Sequence, residues 1–253
     1  MIITLTEEAE AGLAAEPRVI AVSPDFAAVY KPPRMHCAPA APGRPCRGTL
    51  LEWCGALFPE TLAVSGRGRG EGGLLHRLDY EARGLVLFAR HEAAFAALAA
   101  QQEAGAFVKE YTARSAGVRA PLPAGFPPLP EGLASAPLPP SRSRGALHIA
   151  SAFRPYGPGR KAVRPLPAPA RNAALDQGLP YVTEMLEAVP EALPEAAPKA
   201  GGYRFTVRLR RGFRHQVRCH LAWIGFPLAG DTLYGGAPAD FLALCARRLE
   251  FAL

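Results

Sequence analysis

The chain has 253 residues, 49% of them hydrophobic, enough to bury a core in one large domain or two small ones, which excludes a disordered chain. No apolar run reaches the ~18 residues of a membrane span, and the N-terminus "MIITLTEEAEAGL" carries acids where a secretory leader needs a basic start, so a cytoplasmic protein is expected. A formal charge of +7 and a pI of about 9.4 point to a polyanionic partner, although an excess of arginine over lysine with abundant alanine and proline also fits a compositional bias.

In chain order, "RVIAVSPDFAAVYKPP" predicts two short strands around Ile20–Val22 and Val29–Tyr30, joined by a turn at Pro24-Asp25 and ended by Pro32-Pro33. Leu50 to Phe58 has helical spacing, and the glycine-rich "SGRGRGEGG", Ser65 to Gly73, reads as a mobile loop. "GLVLFAR" is apolar on both faces, as in a strand at the centre of a sheet. "HEAAFAALAAQQEAG" follows as a helix stopped by Gly105, and "FVKEYTAR" as a strand with Lys109 and Tyr111 on one face.

Prolines without periodicity mark surface insertions at about 117–145 and 165–200, with "YVTEMLEAV" a strand. In "YRFTVRLR", Tyr203, Phe205, Val207 and Leu209 alternate with Arg204, Thr206, Arg208 and Arg210, giving one packed and one basic face. "RGFRHQVRCHLAWIGFP" predicts an amphipathic helix with Val217, His220, Leu221 and Ile224 inward and with Arg214 and Arg218, four apart, sharing another face. Five cysteines with no close C-x-x-C pair and no secretion signal read as reduced thiols, and the spacing of His36, Cys37, Cys46 and Cys54 fits no common zinc pattern. No internal repeat is evident, and the element order predicts an α+β fold.

The chemistry concentrates at "HRLD". Asp79 lies between the glycine segment and the central strand, flanked by His76 and Arg77. Alone it reads as a turn or cap residue, and it lacks the second carboxylate of ordinary glycoside hydrolysis. However, "VYKPPRMHCAP", "HRLD", "KEYTA" and "RHQVRCHLAWIGFPLAGDTLYGG", in this order over most of the chain, resemble the blocks of the RluA-type pseudouridine synthases.

That resemblance implies a mixed, largely antiparallel sheet flanked by helices and loops, and an enzyme that isomerises specific uridines in structured RNA, ribosomal RNA favoured over transfer RNA, without cofactor or metal. Asp79 matches the catalytic aspartate, whether it attacks the sugar or removes the 2′ proton. Tyr111 matches the tyrosine that stacks on the target base, and Arg218 the arginine that pairs with the aspartate and keeps it ionised. Arg77 matches the residue that fills the gap left by the flipped nucleotide, whose extrusion costs a few kcal/mol. Leu249 matches an apolar pocket wall, with core packing the equal alternative.

Beside these matches, His76 reads as a residue that fixes the loop at the RNA-binding surface rather than as a base, and Lys31, Lys109, Arg208, Arg210, Arg211 and Arg214 as phosphate contacts acting through their summed field. The chain departs from the pattern at Ala82 and Arg83, where threonine and serine are usual, at Gly212-Phe213-Arg214, where the arginine is shifted by one, and at Cys245, where histidine is common. The expectation is a single catalytic domain over 1–253, too little chain preceding the first strand for an N-terminal RNA-binding domain, and a monomer acting on RNA with no membrane partner. Two other readings compete: an RNA-binding or ribosome-assembly factor that has kept the fold and lost turnover, and a hydrolase of an N-glycosidic bond.

Overall fold

A computed structural model describes residues 1–7, 9, 15–39, 47–68, 70–116, 119–139, 141–166, 181–191 and 201–253. The chain divides into two compact units, Met1–Glu110 with Cys245–Leu253, and Tyr111–Leu244. Their strands are paired in a mixed, largely antiparallel fashion with a few helices, the α+β class expected from the sequence.

In the first unit, β1 (Ile2–Thr4), β2 (Arg18–Val22), β3 (Phe26–Lys31), β4 (Arg83–Ala89) and β10 (Leu244–Glu250) form the sheet. β2–β3, β3–β4 and β1–β10 are antiparallel, and β4 pairs parallel with β10. Every residue of β3 is buried, as are Gly84 to Ala89 of β4, which is why β4 reads as a run apolar on both faces. α1 (Leu50–Leu57) starts where Thr49 Oγ1 accepts the Glu52 N–H at 3.2 Å. The short α2 (Glu60–Ala63) precedes the glycine segment. α3 (Glu92–Glu103) is capped by His91, whose Nδ1 accepts the Ala94 N–H at 3.2 Å, and it lays Ala94, Phe95 and Leu98 into the core with Leu85, Leu87 and Phe107. Gly105 ends it with a left-handed φ of 71°.

The segment read as a mobile loop, Ser65 to Gly73, ends in a fixed backbone contact. Gly73 donates its N–H to Thr61 O at 2.7 Å and accepts from the Ala89 N–H at 2.8 Å. A Cβ at Gly73 would lie 1.9 Å from Ala89 O, so glycine serves here to let two backbones touch.

β5 (Val108–Ala116) leads into the second unit, where β9 (Gly202–Leu209), β8 (Tyr181–Glu191), β6 (Leu147–Tyr156) and β7 (Ala162–Leu166) follow one another in antiparallel pairing. β7 and β8 contain Pro165 and Pro190, so the second proline-rich stretch is interrupted by two strands, and 167–180 and 192–200 lie outside the described residues. The described part of the first stretch is tied down: the Trp223 indole donates to Pro127 O at 2.8 Å, and Ala188 N–H donates to Pro139 O at 2.7 Å.

α4 (Gln216–Trp223) begins two residues later than the sequence pattern implied, after His215 takes a left-handed φ of 57°. All eight of its residues are buried, so it is an interior helix rather than an amphipathic one. Its polar side chains find partners inside: Ser151 Oγ and Thr183 Oγ1 flank the two ring nitrogens of His220 at 2.9 and 2.8 Å, and Gln216 Nε2 donates to Val182 O at 3.0 Å.

Candidate active site

Asp79 is half-buried, in a loop that other parts of the first unit hold on each side of it. One residue before it, Leu78 N–H donates to Cys37 Sγ at 3.3 Å, and the buried thiol sits 3.5 Å from Leu78 O. One residue after it, Tyr80 O accepts from Lys31 Nζ at 3.3 Å, while the Tyr80 ring lies against His36 with centroids 4.6 Å apart. Within the loop, Ala82 N–H closes a turn on Asp79 O at 3.2 Å. The segment after β3 and the loop before β4 are thereby fastened at residues that neither periodicity nor composition links.

Lys31 is the centre of that fastening. It is fully buried, and its ammonium donates to Pro32 O at 2.9 Å and Met35 O at 2.8 Å as well as to Tyr80 O. Burial lowers its pKa to about 8, against the opposing pull of Cys37, Asp79 and Glu81 nearby. Lys31 is therefore not the phosphate contact expected from the sequence; its three donors are spent on backbone carbonyls.

His76 is set by β4: Leu87 N–H donates to its Nε2 at 3.3 Å, which leaves the ring proton on Nδ1, and its ring lies 5.7 Å from that of Phe107. Burial pushes its pKa down to about 3, with the Lys109 and Arg67 charges adding to the effect, so the ring is neutral at any ordinary pH. Arg77 next to it is exposed and forms a 3.1 Å ion pair with Glu71 of the glycine segment. Lys109, on β5, is only 7% exposed.

In the second unit, Tyr111 is buried on β5 and Arg218 on α4. Arg218 Nε and Nη2 grip Asp231 Oδ2 and Oδ1 at 2.7 and 2.9 Å, a bidentate pair whose side chains are 3% and 0% exposed, and the guanidinium lies over the Tyr234 ring at 5.6 Å. The Tyr234 hydroxyl in turn accepts the Val163 N–H at 2.9 Å. Asp231 sits in a turn that needs its glycine: a Cβ at Gly230, whose φ is 77°, would fall 2.2 Å from Phe241 O. The sequence reading supplied only Asp79 as a carboxylate for Arg218 and missed Asp231, although "GDTLYGG" carries the signal of an acid in a glycine-bounded turn.

Three further expectations need correction. Arg214 lies outside α4 and is exposed, with Nη2 donating to Arg160 O and Ala162 O at 2.9 and 3.2 Å, so it does not share a helix face with Arg218. The face of β9 read as basic is partly neutralised by β8, because Glu184 pairs with Arg210 at 3.1 Å and Arg208 at 3.6 Å. Leu249 is fully buried in the core of the first unit with Ile3, Phe26 and Phe251, which makes it a core residue rather than a pocket wall. Among the described residues no group of three potential metal ligands occurs, and Cys46 lies outside them.

A family profile described as RNA pseudouridylate synthase matches residues 25–223, a stretch that contains Asp79, Tyr111 and Arg218. The chain belongs to that family. An uncharacterized RNA pseudouridine synthase of Chloroflexus aurantiacus is 33% identical over 207 residues, covering 81% of this chain and 50% of that protein. Ribosomal large subunit pseudouridine synthase D of Haemophilus ducreyi is 26% identical over 214 residues, 85% of this chain and 51% of its own. The chain thus spans about half the length of these curated relatives. Among solved structures, human RNA Pseudouridylate Synthase Domain Containing 1 superposes with a TM-score of 0.57 over 91% of this chain and 76% of that one, at 19% identity, a likeness of fold.

Proposed function

We propose that the protein is an RNA pseudouridine synthase, an isomerase that extrudes a uridine from structured RNA, cleaves its glycosidic bond, rotates the base and rejoins it through carbon 5. The family match over residues 25–223 carries this reading, because it spans the loop on which Lys31, Cys37 and His36 fix the residues around Asp79. A carboxylate that must meet one sugar atom needs a loop that does not wander, since an ångström of misplacement costs orders of magnitude in rate. In this reading Asp79 begins the cleavage, Tyr111 stacks on the base, and Arg218, oriented by Asp231, supplies a fixed positive charge. Arg77, exposed beside Asp79, is the side chain that takes the place of the extruded base, because a guanidinium can both stack and meet phosphate.

Two relatives, from Haemophilus ducreyi and Yersinia pestis, are named for the large ribosomal subunit, and on that likeness we favour ribosomal over transfer RNA. Tritium release from RNA labelled at carbon 5 of uridine, with unmodified ribosomal and transfer RNA offered separately, tests both levels. Release from ribosomal RNA by the wild type and none by Asp79→Ala is the expected result. Release from transfer RNA alone would overturn the substrate preference. No release from either pool, with RNA still bound, would replace the enzyme by a binding factor of the same fold.

A further inference from the structure

Tyr80 is 41% exposed, and among the described residues of the first unit it is the only aromatic of the large hydrophobic side chains left in water. It does not stand alone. The exposed ring of His36 lies against it, with 4.6 Å between centroids and 37° between the planes. A single hydrophobic side chain at a surface needs no explanation. Two exposed rings laid together, one of them on the residue after Asp79, do need one, because they keep a joined π surface open to solvent beside the candidate active site.

Both rings hang from fixed backbone. Lys31 Nζ donates to Tyr80 O at 3.3 Å, while His36 bridges to Thr49 and its carbonyl accepts the Leu50 N–H at 2.9 Å at the start of α1. Cys37, next to His36, exchanges hydrogen bonds with the backbone of Leu78. The two segments that carry the rings are thus fastened to each other below the surface, and little order has to be paid for when a ligand settles on the pair. The nearby charges do not suit a phosphate. Glu81, next in the chain and exposed, repels an anion, and Arg77 is paired with Glu71. What the pair offers is ring surface, which any nucleobase can match because each has a π face.

We propose that Tyr80 and His36 form a stacking platform for an unpaired nucleobase of the RNA, a different base from the one on which Asp79 acts. That this base neighbours the extruded uridine rests on the reading under Proposed function; the platform itself does not. Tyr80 follows Asp79 directly in the chain, and a base whose neighbour is drawn into an active site loses a stacking partner. The platform restores one and so lowers the cost of extrusion. It reads no sequence, since stacking accepts every base, but it requires that the base be free of a duplex.

Two binding measurements test this with the full chain, and neither depends on turnover. In the first, a short oligouridylate is titrated at fixed pH while the His36 ring resonances are followed by NMR. A stacked base should move them upfield in a saturable way, whereas an abasic oligomer of equal length, with the same phosphates, should leave them in place. In the second, binding of unmodified ribosomal RNA is measured against salt for the wild type, Tyr80→Phe and Tyr80→Ala. Tyr80→Ala should bind roughly ten-fold more weakly, as for one lost stacked base, with the slope of log K against log salt unchanged because no cation is removed. Tyr80→Phe, which keeps the ring, should match the wild type.

No shift from the oligouridylate, with equal RNA affinity for Tyr80→Ala and wild type, overturns the platform and leaves the ring pair as a clasp of the Asp79 loop. An abasic oligomer that shifts His36 as far as the oligouridylate overturns it as well, and so does a Tyr80→Phe protein as weak as Tyr80→Ala, because the hydroxyl would then be the contact. The wild-type titration needs no variant, so a poorly folded Tyr80→Ala does not decide the matter. Failure of tritium release with both binding effects present would discard the isomerase reading and leave the platform standing.

Discussion

Arg218 and Lys109 are both more than nine-tenths buried, one in each unit. Arg218 is gripped at two nitrogens by the fully buried carboxylate of Asp231 and backed by the Tyr234 ring, so its charge is compensated and its direction fixed before any substrate arrives. For Lys109, burial, with the Arg67 charge adding to it, lowers the pKa to about 8. Compensation of the kind seen at Arg218 contributes order to the free protein.

The largest effect should come from Asp231→Ala, which leaves the Arg218 guanidinium buried without its carboxylate; unfolding in urea should show a loss of about 3–5 kcal/mol. Leu249→Ala should cost about 2–5 kcal/mol through the cavity it opens. It should leave RNA affinity unchanged, as befits a core residue and not a pocket wall.

Acid should act on the second unit through His220. Burial holds its pKa near 3, while the unfolded histidine titrates at the ordinary 6.5, so below about 6.5 the unfolded chain takes up a proton that the native chain refuses. Stability is then full above pH 6.5 and falls as the pH drops towards 3, by up to about 1.4 kcal/mol per pH unit from this residue. Urea midpoints between pH 7 and pH 4 should fall less steeply in His220→Gln than in the wild type; equal slopes would mean that His220 charges without unfolding. The smallest effect belongs to the exposed Arg77–Glu71 pair. Glu71→Gln should move the urea midpoint by no more than about 0.5 kcal/mol, as for other exposed ion pairs.

The same contrast explains what could be read in advance. β3, β4 and α3 were legible because burial there imposes a period, or abolishes one, over six or more adjacent residues. Lys31 was not, since nothing in "VYKPP" reveals that the ammonium is spent on a carbonyl 49 residues away. Arg218 was legible as a motif residue and illegible as a partner, because Asp231 joins it only when the turn after α4 folds back. The contact at the end of the glycine segment was illegible for a related reason. Glycine signals freedom in a sequence, but Gly73 was needed where two backbones come within hydrogen-bonding distance.

The claim on which the functional account rests is that the Asp79 carboxylate does chemistry rather than shape its loop. Mapping of pseudouridine by carbodiimide labelling, in unmodified ribosomal RNA incubated with wild type or with the isosteric Asp79→Asn, tests it most directly. The account predicts pseudouridine at defined positions with the wild type and none with Asp79→Asn, although both proteins bind the RNA equally and unfold at the same urea concentration. Pseudouridine formed by the variant, or an unfolded variant, would place Asp79 among the residues that build the loop and contradict the mechanism.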